Sequence, residues 1–245
     1  LFTENEVSLL TAFADQASLA LEKARLLNEA EREKERAETE KERSDALYQV
    51  SNRLAGAHDT DDVLDLIVNE AARLVGAPAA WIQLLSGTVV EGTVATKSAA
   101  SVVARLSVIM AEVLSSQVDT GWSREILVSK KPLVTTDAAE EELISPAARR
   151  IVQESGYHGT VAVPLLANDQ VIGLLYVTDT QIRLFTEDEV SLLGAFADQA
   201  SLALEKARLL NEAEARERQA TQLYEVTTQL ASNHDMNSVL ELIAE

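Results

Sequence analysis

Leu184–Glu214 reads LFTEDEVSLLGAFADQASLALEKARLLNEAE, and Leu1–Glu31 reads LFTENEVSLLTAFADQASLALEKARLLNEAE. Two positions differ, Asn5/Asp188 and Thr11/Gly194. Each copy opens on a capping box, Thr3 with Glu6 and Thr186 with Glu189. At that spacing each side chain accepts from the other residue's backbone N–H. Val7, Leu10, Ala14, Ala17, Leu21, Ala24 and Leu27 follow at intervals of three and four, which predicts a helix with one buried stripe. Leu9, Phe13 and Ala20 widen that stripe. Leu19 and Leu26 fall on the far side, so the helix should be covered from more than one direction.

The segment that follows, Glu29–Asp45, loses the stripe: EAEREKERAETEKERSD. No Gly or Pro interrupts it, and pairs such as Lys34/Glu38 and Arg36/Glu40 stand four residues apart. Each such pair stabilises a helix by only ~0.2–0.5 kcal/mol, but a series of them holds a solvated helix together. Apolar spacing resumes at Leu47, Val50, Leu54 and Ala57. One helix is therefore predicted from about Thr3 to Ala55, roughly 80 Å at ~1.5 Å per residue. A helix of that length calls for a partner helix, which predicts a coiled-coil dimer.

Gly56 and His58-Asp59-Thr60 break the helix. A new one starts with Asp59 or Thr60 as cap and runs through Val63, Leu64, Ile67, Ala71 and Leu74 to Gly76. Ala79–Leu85 and Thr88–Thr96 read as two strands around a Ser86-Gly87 turn. Val102–Gln117 and Trp122–Lys130 read as helices, Leu133–Thr136 as a short strand, and Ser145–Glu154 as a helix closed by Gly156. Thr160–Leu166 and Gln170–Thr178 carry the clearest strand pattern, joined by the turn Ala167-Asn168-Asp169. In the second of these Val171, Gly173, Leu175 and Val177 face one way, and Ile172, Leu174 and Tyr176 the other. Both faces are apolar, so the strand should be covered on both sides.

The repeat extends past Glu214. Leu223, Tyr224, Val226, Leu230, His234, Asp235, Val239 and Ile243 match Leu47, Tyr48, Val50, Leu54, His58, Asp59, Val63 and Ile67. The first block aligns with an offset of 183 and this one with 176. The seven-residue difference lies in the charged linker. Seven residues is one heptad, which returns a helix to within ~20° of its starting phase. The two linkers thus differ in length yet keep rotational register. This divides the chain into residues 1–57, an exit helix and linker helix; 58–183, a complete domain; 184–231, its exit helix and the next linker; and 232–245, the first helix of a further module.

Composition narrows the function. Net charge is −19, which repels nucleic acid and anionic lipid, so neither is an expected partner. There is no cysteine; disulfides, thiolate catalysis, thioether-linked chromophores and Cys zinc sites are excluded. The longest apolar run, Val171–Val177, is far shorter than the ~20 residues a membrane span needs. With no signal-peptide pattern at residue 1, a cytoplasmic location is expected.

At residues 156–209 the motifs become specific. Val163-Pro164-Leu165, Val171-Ile172-Gly173-Leu174, Phe185-Thr186-Glu187-Asp188-Glu189 and Ala197–Leu209 resemble the C-terminal half of a GAF domain. Leu64–Gly76 with Ala79–Leu85 resembles the family's lead-in helix and first strand, and Lys131-Pro132-Leu133 with Thr136-Asp137 its middle strand. The resemblance covers about residues 58–209. It implies an α+β fold, an antiparallel sheet with helices on both faces, flanked here by long coiled-coil linker helices. It also implies a signalling role: a small-molecule sensor relaying a conformational change through dimeric linker helices to an output domain, such as a histidine kinase or cyclase. The alternative is a structural or dimerisation spacer, without ligand, in a tandem GAF array.

Departures from the family pattern exclude some ligands. Bilin attachment and GAF-type methionine sulfoxide reduction need cysteines, and the Asn-Lys-Xaa-Phe-Asp-Glu signature of cyclic-nucleotide GAF domains is absent. Past His58 at its first residue, His158 is the lone histidine inside the full module and is Gly-flanked, so haem is not expected; no cofactor or metal ion is identified. His58 and His234 read as parts of helix joints, beside capping aspartates. No Ser/His/Asp set, phosphate loop or carboxylate pair at useful spacing appears, so no enzymatic activity is expected. The family's pockets lie between the sheet and the shorter helices, which makes Trp81, Trp122, Arg124, Tyr157, His158 and Tyr176 the candidate ligand residues. Leu27, Leu47, Val50, Leu54, Leu209, Leu223, Val226 and Leu230 are the candidate dimer and linker-helix residues, in a parallel homodimer.

Overall fold

The computed structural model describes residues 3–57, 59–87, 89–115 and 121–243. The chain divides into two compact units, Leu1–Gln49 and Val50–Glu245. The first is helical, part of α1 (Glu4–Gly56). Its charged stretch holds i,i+4 ion pairs such as Arg25–Glu29 and Lys34–Glu38. The expected partner of Thr3, the side chain of Glu6, lies outside the described residues.

The second unit holds the end of α1 and then α2 (Thr60–Leu74), β1 (Ala79–Ser86), β2 (Val89–Ala95), α3 (Ala100–Ser115) and α4 (Trp122–Ser129). After these come β3 (Leu133–Thr135), α5 (Pro146–Ser155), β4 (Thr160–Ala167), β5 (Gln170–Thr178) and α6 (Glu187–Ile243). The strands form one antiparallel sheet in the order β2-β1-β5-β4-β3. The fold is α+β, with helices on both faces of this sheet.

Local chemistry sets the joints. Asp59 caps α2, its side chain accepting from the Asp61 N–H at 2.8 Å. The capping box of α6 closes as its spacing requires: Thr186 N donates to Glu189 Oε2 at 2.8 Å, and Glu189 N to Thr186 Oγ1 at 3.2 Å. Asn168 and Asp169 take positive φ, 50° and 62°, between the paired residues Ala167 and Gln170. That is the two-residue hairpin turn whose twist suits the flanking strands.

Alternation along the strands separates two cores. Trp81, Ala162, Leu174 and Tyr176 point toward α3, α4 and α5 and pack with Leu106, Trp122, Ile126 and Ile151. Ile82, Val161, Val163, Leu175 and Val177 point to the other face, where α2 packs on β1 and α6 on β4. Buried Val63, Ile67 and Ala71 of α2 and Leu193, Phe196, Ala200 and Leu204 of α6 complete that layer. Arg183 locks the start of α6. Its guanidinium pairs with Asp179 at 2.8 Å and with Glu189, donates to the Val75 carbonyl at 3.1 Å, and lies 4.5 Å from the centre of the Phe185 ring.

Two expectations are corrected. Val50 and Leu54 are expected among the dimer and linker-helix residues; both lie on α1, but they are buried in the core of the second unit and so are not free for a dimer seam. The last turns of α1 lie along α6, with Ser51 Oγ donating to Gln199 at 3.2 Å. Arg53 ties the same segment to the buried Glu70 of α2 at 2.5 Å. An apolar stripe records that a face is covered, not which element covers it.

The second correction concerns the joint expected near His234-Asp235. α1 stops at Gly56, whereas α6 continues through the equivalent positions to Ile243. Ser232 stands where Gly56 does, and serine resists helix less than glycine. The side chains from residue 229 onward, Leu230 and His234 among them, lie outside the described residues, as does His58.

Candidate functional site

The face of the sheet that carries Trp81, Thr160 and Tyr176 is not filled completely. Between it and α3, α4 and α5 lies a cavity of about 450 Å³. That is within the range of about 300–1,000 Å³ typical of small-molecule sites. Leu106 and Ile109 of α3 form one wall. Gly121, Trp122 and Ser123 bring in the first turn of α4, and Ser145, Pro146, Ala148, Arg149 and Val152 the first two turns of α5. The segment 142–144 closes another side.

The sheet side of the cavity is aromatic. Trp81 stacks on its cross-strand neighbour Tyr176, ring centroids 5.0 Å apart and planes 11° from parallel. Trp122 approaches the same Tyr176 ring at 6.4 Å and 35°. The Tyr176 hydroxyl is buried and shares a 2.8 Å hydrogen bond with Ser123 Oγ, linking β5 to α4 across the cavity wall. Burial pushes the Tyr176 phenol above the ordinary tyrosine range, and the bond to Ser123 offsets this only in part.

The cavity wall also holds incomplete hydrogen bonding. Trp81 Nε1 is buried with no partner among the described residues. Arg149 Nη2 donates to the carbonyls of Glu141 at 2.6 Å and Ile144 at 3.3 Å, which fixes the 141–144 segment, but Arg149 Nε is buried and has no partner among the described residues. Gln83, two residues from Trp81 on the same face of β1, is fully buried, and neither end of its amide has a partner among the described residues.

The six candidate ligand residues divide evenly. Trp81, Trp122 and Tyr176 line the cavity; Arg124, Tyr157 and His158 are not among its lining residues. The Tyr157 hydroxyl donates to the Ser98 carbonyl at 2.9 Å and braces α5 against the β2–α3 connection. His158 Nδ1 lies 2.9 Å from Asp137 Oδ1, and its backbone pairs with Ala138 and Asp179. It holds the β3–α5 connection to the end of the sheet. Sequence reasoning missed Ser123, Thr160 and Arg149. Arg149 occupies a helix whose polar face reads as solvated, and nothing local marks it as facing a cavity.

An antiparallel five-stranded sheet, backed by a lead-in and an exit helix and roofed by short helices over a cavity, defines a class of small α+β domains. The family model for the GAF domain matches residues 57–205, and the chain belongs to that family. Its fold is similar to that of the GAF domain from a phosphoenolpyruvate-protein phosphotransferase of Coxiella burnetii, with TM-score 0.53 and 17% identity over 69% of this chain and 96% of that one. A GAF domain from the corresponding Acinetobacter protein gives 0.51 and 18%, covering 69% and 97%. The photosensory core module of a Stigmatella aurantiaca phytochrome gives 0.51 and 14%, covering 74% and 39%. Among the described residues no helix is long and apolar enough to cross a membrane.

Proposed function

We propose that this chain is a sensory GAF module that binds a small molecule in the sheet-side cavity and passes its occupancy to α6. The observation that carries the reading is the cavity itself: about 450 Å³, with an aromatic side tied to α4 by the Ser123–Tyr176 bond. The competing spacer reading would be favoured by a filled pocket. β4 and β5 supply the mechanical link. Thr160 and Tyr176 line the cavity, while Val161, Val163, Leu175 and Val177 of the same strands lie in the α6-side core. A ligand that binds one arrangement of the sheet and α6 better than another shifts their populations by its differential affinity.

The repeat supports a tandem array of such modules. Phe196 and Leu204 are 0% and 5% exposed under the sheet, whereas their counterparts Phe13 and Leu21 are 75% and 72% exposed. Nearly identical sequences should bury the same stripe, so residues 1–31 fit the exit helix of a preceding module. Likewise Val50 is 1% exposed and its counterpart Val226 is 53% exposed, which suits a following module. Leu19, Leu26 and Leu47 fall on one seven-residue series, and Leu202, Leu209 and Leu223 on another. Such series suit a seam between two copies of the chain in a parallel dimer.

The absence of native cysteine makes the dimer directly testable. Single substitutions Leu209→Cys and Leu223→Cys should give disulfide-linked dimers on mild oxidation, and Arg208→Cys and Gln222→Cys should give little. Uniform cross-linking at all four, or none, refutes the seam. A thermal-shift screen with a metabolite library tests sensing: a stabilising compound is expected, and a screen without one counts for the spacer.

A further inference from the structure

We infer that the ligand of this cavity is an apolar acid: a flat or bulky apolar body carrying one carboxylate or phosphate, met by Arg149. The inference rests on the sensing role proposed above and narrows it to a chemical class. Arg149 lines the cavity, its side chain is half-buried, and no carboxylate pairs with it among the described residues. Its two acceptors are neutral carbonyls, and Nε has none among the described residues. A partly buried cation without a counter-ion is costly, and an anionic ligand relieves that cost. Arginine is the side chain suited to it, because its planar fork matches carboxylate and phosphate.

The surroundings agree in sign. α4 and α5 both begin at the cavity, so the positive ends of two helix dipoles face it. Glu142 is the acidic residue among the lining side chains, and it is exposed. This occurs in a chain of net charge −19, where a cation that lines a cavity without a carboxylate partner among the described residues stands out. The body of the ligand is set by Trp81, Trp122, Leu106, Ile109 and Val152, which offer aromatic and aliphatic contact and little else.

The test uses three probes of one shape: 2-naphthoate, 2-naphthamide and 2-naphthylmethylammonium, titrated calorimetrically into the 245-residue chain. The acid should bind at least about tenfold tighter than the amide, the discrimination a charge-assisted hydrogen bond supplies, and the amine weakest. Rising salt should weaken the acid and leave the amide unchanged. Arg149→Gln should abolish the preference of acid over amide, and Arg149→Lys should restore part of it. The wild-type comparison stands even if these variants do not fold. Amide binding equal to or tighter than acid binding overturns the inference and leaves the sensing role intact. Binding of none of the three counts against the sensing role itself.

Discussion

Ser123→Ala is the perturbation whose outcome the cavity wall determines most sharply. It removes the partner of the Tyr176 hydroxyl, 2.8 Å away, with both residues buried. A buried hydroxyl stripped of its partner costs about 1–3 kcal/mol. Tyr176→Phe removes the other end, leaves a Ser123 hydroxyl free to rotate toward the cavity, and should cost less, about 0.5–1.5 kcal/mol. The double variant orphans nothing. It should lie close to Tyr176→Phe alone, with a coupling of about 1 kcal/mol or more between the sites. Urea unfolding followed by far-UV circular dichroism measures all four corners of the cycle. Strict additivity would refute the claim that this bond joins β5 to α4, as would a Ser123→Ala variant as stable as the wild type.

The Tyr176 phenol is held neutral by burial, above the ordinary value of ~10. Below that pH neither the folded nor the unfolded chain ionises it. Above it the unfolded chain releases the proton first, so stability falls by up to ~1.4 kcal/mol per pH unit. Denaturant midpoints taken between about pH 9 and 11 should therefore converge for wild type and Tyr176→Phe as pH rises, and a gap that stays constant contradicts this. Gln83→Met replaces an amide with both ends unpaired and should raise stability by about 1 kcal/mol or more; a lowered thermal midpoint would mean the amide is satisfied. Leu54→Ala empties a buried site and should cost about 2–5 kcal/mol. Leu223→Ala, at an exposed position, should change stability by no more than about 0.5 kcal/mol but weaken self-association in sedimentation.

Features written in neighbouring residues could be read from the sequence. The Thr186/Glu189 box, the Asp59 cap and the Asn168-Asp169 turn each need only a few consecutive positions, and each forms in the structure. The strands β4 and β5, apolar on both faces, announced a sheet covered twice, and the GAF motifs fixed its family. What could not be read depends on distant elements meeting. Val50 and Leu54 carry the same spacing whether they face another chain or their own α6. Gly56 and Ser232 sit in near-equivalent contexts, yet one ends a helix and the other is passed through. Three aromatics were legible as cavity candidates because few others exist. Arg149 and Ser123 were not, because their roles appear only when α4 and α5 are laid across β5.

A sensing role requires that the cavity receive a small molecule. The chain has two tryptophans, and both line the cavity. A ¹H–¹⁵N spectrum therefore carries two indole signals, each a reporter at the site. Titration with metabolite pools, followed by deconvolution to single compounds, should move both signals saturably for at least one compound. The same compound should leave them unmoved in Ala148→Phe, where the added ring occupies the cavity. Indole signals that stay fixed through every pool, or that shift equally in Ala148→Phe, would contradict the account.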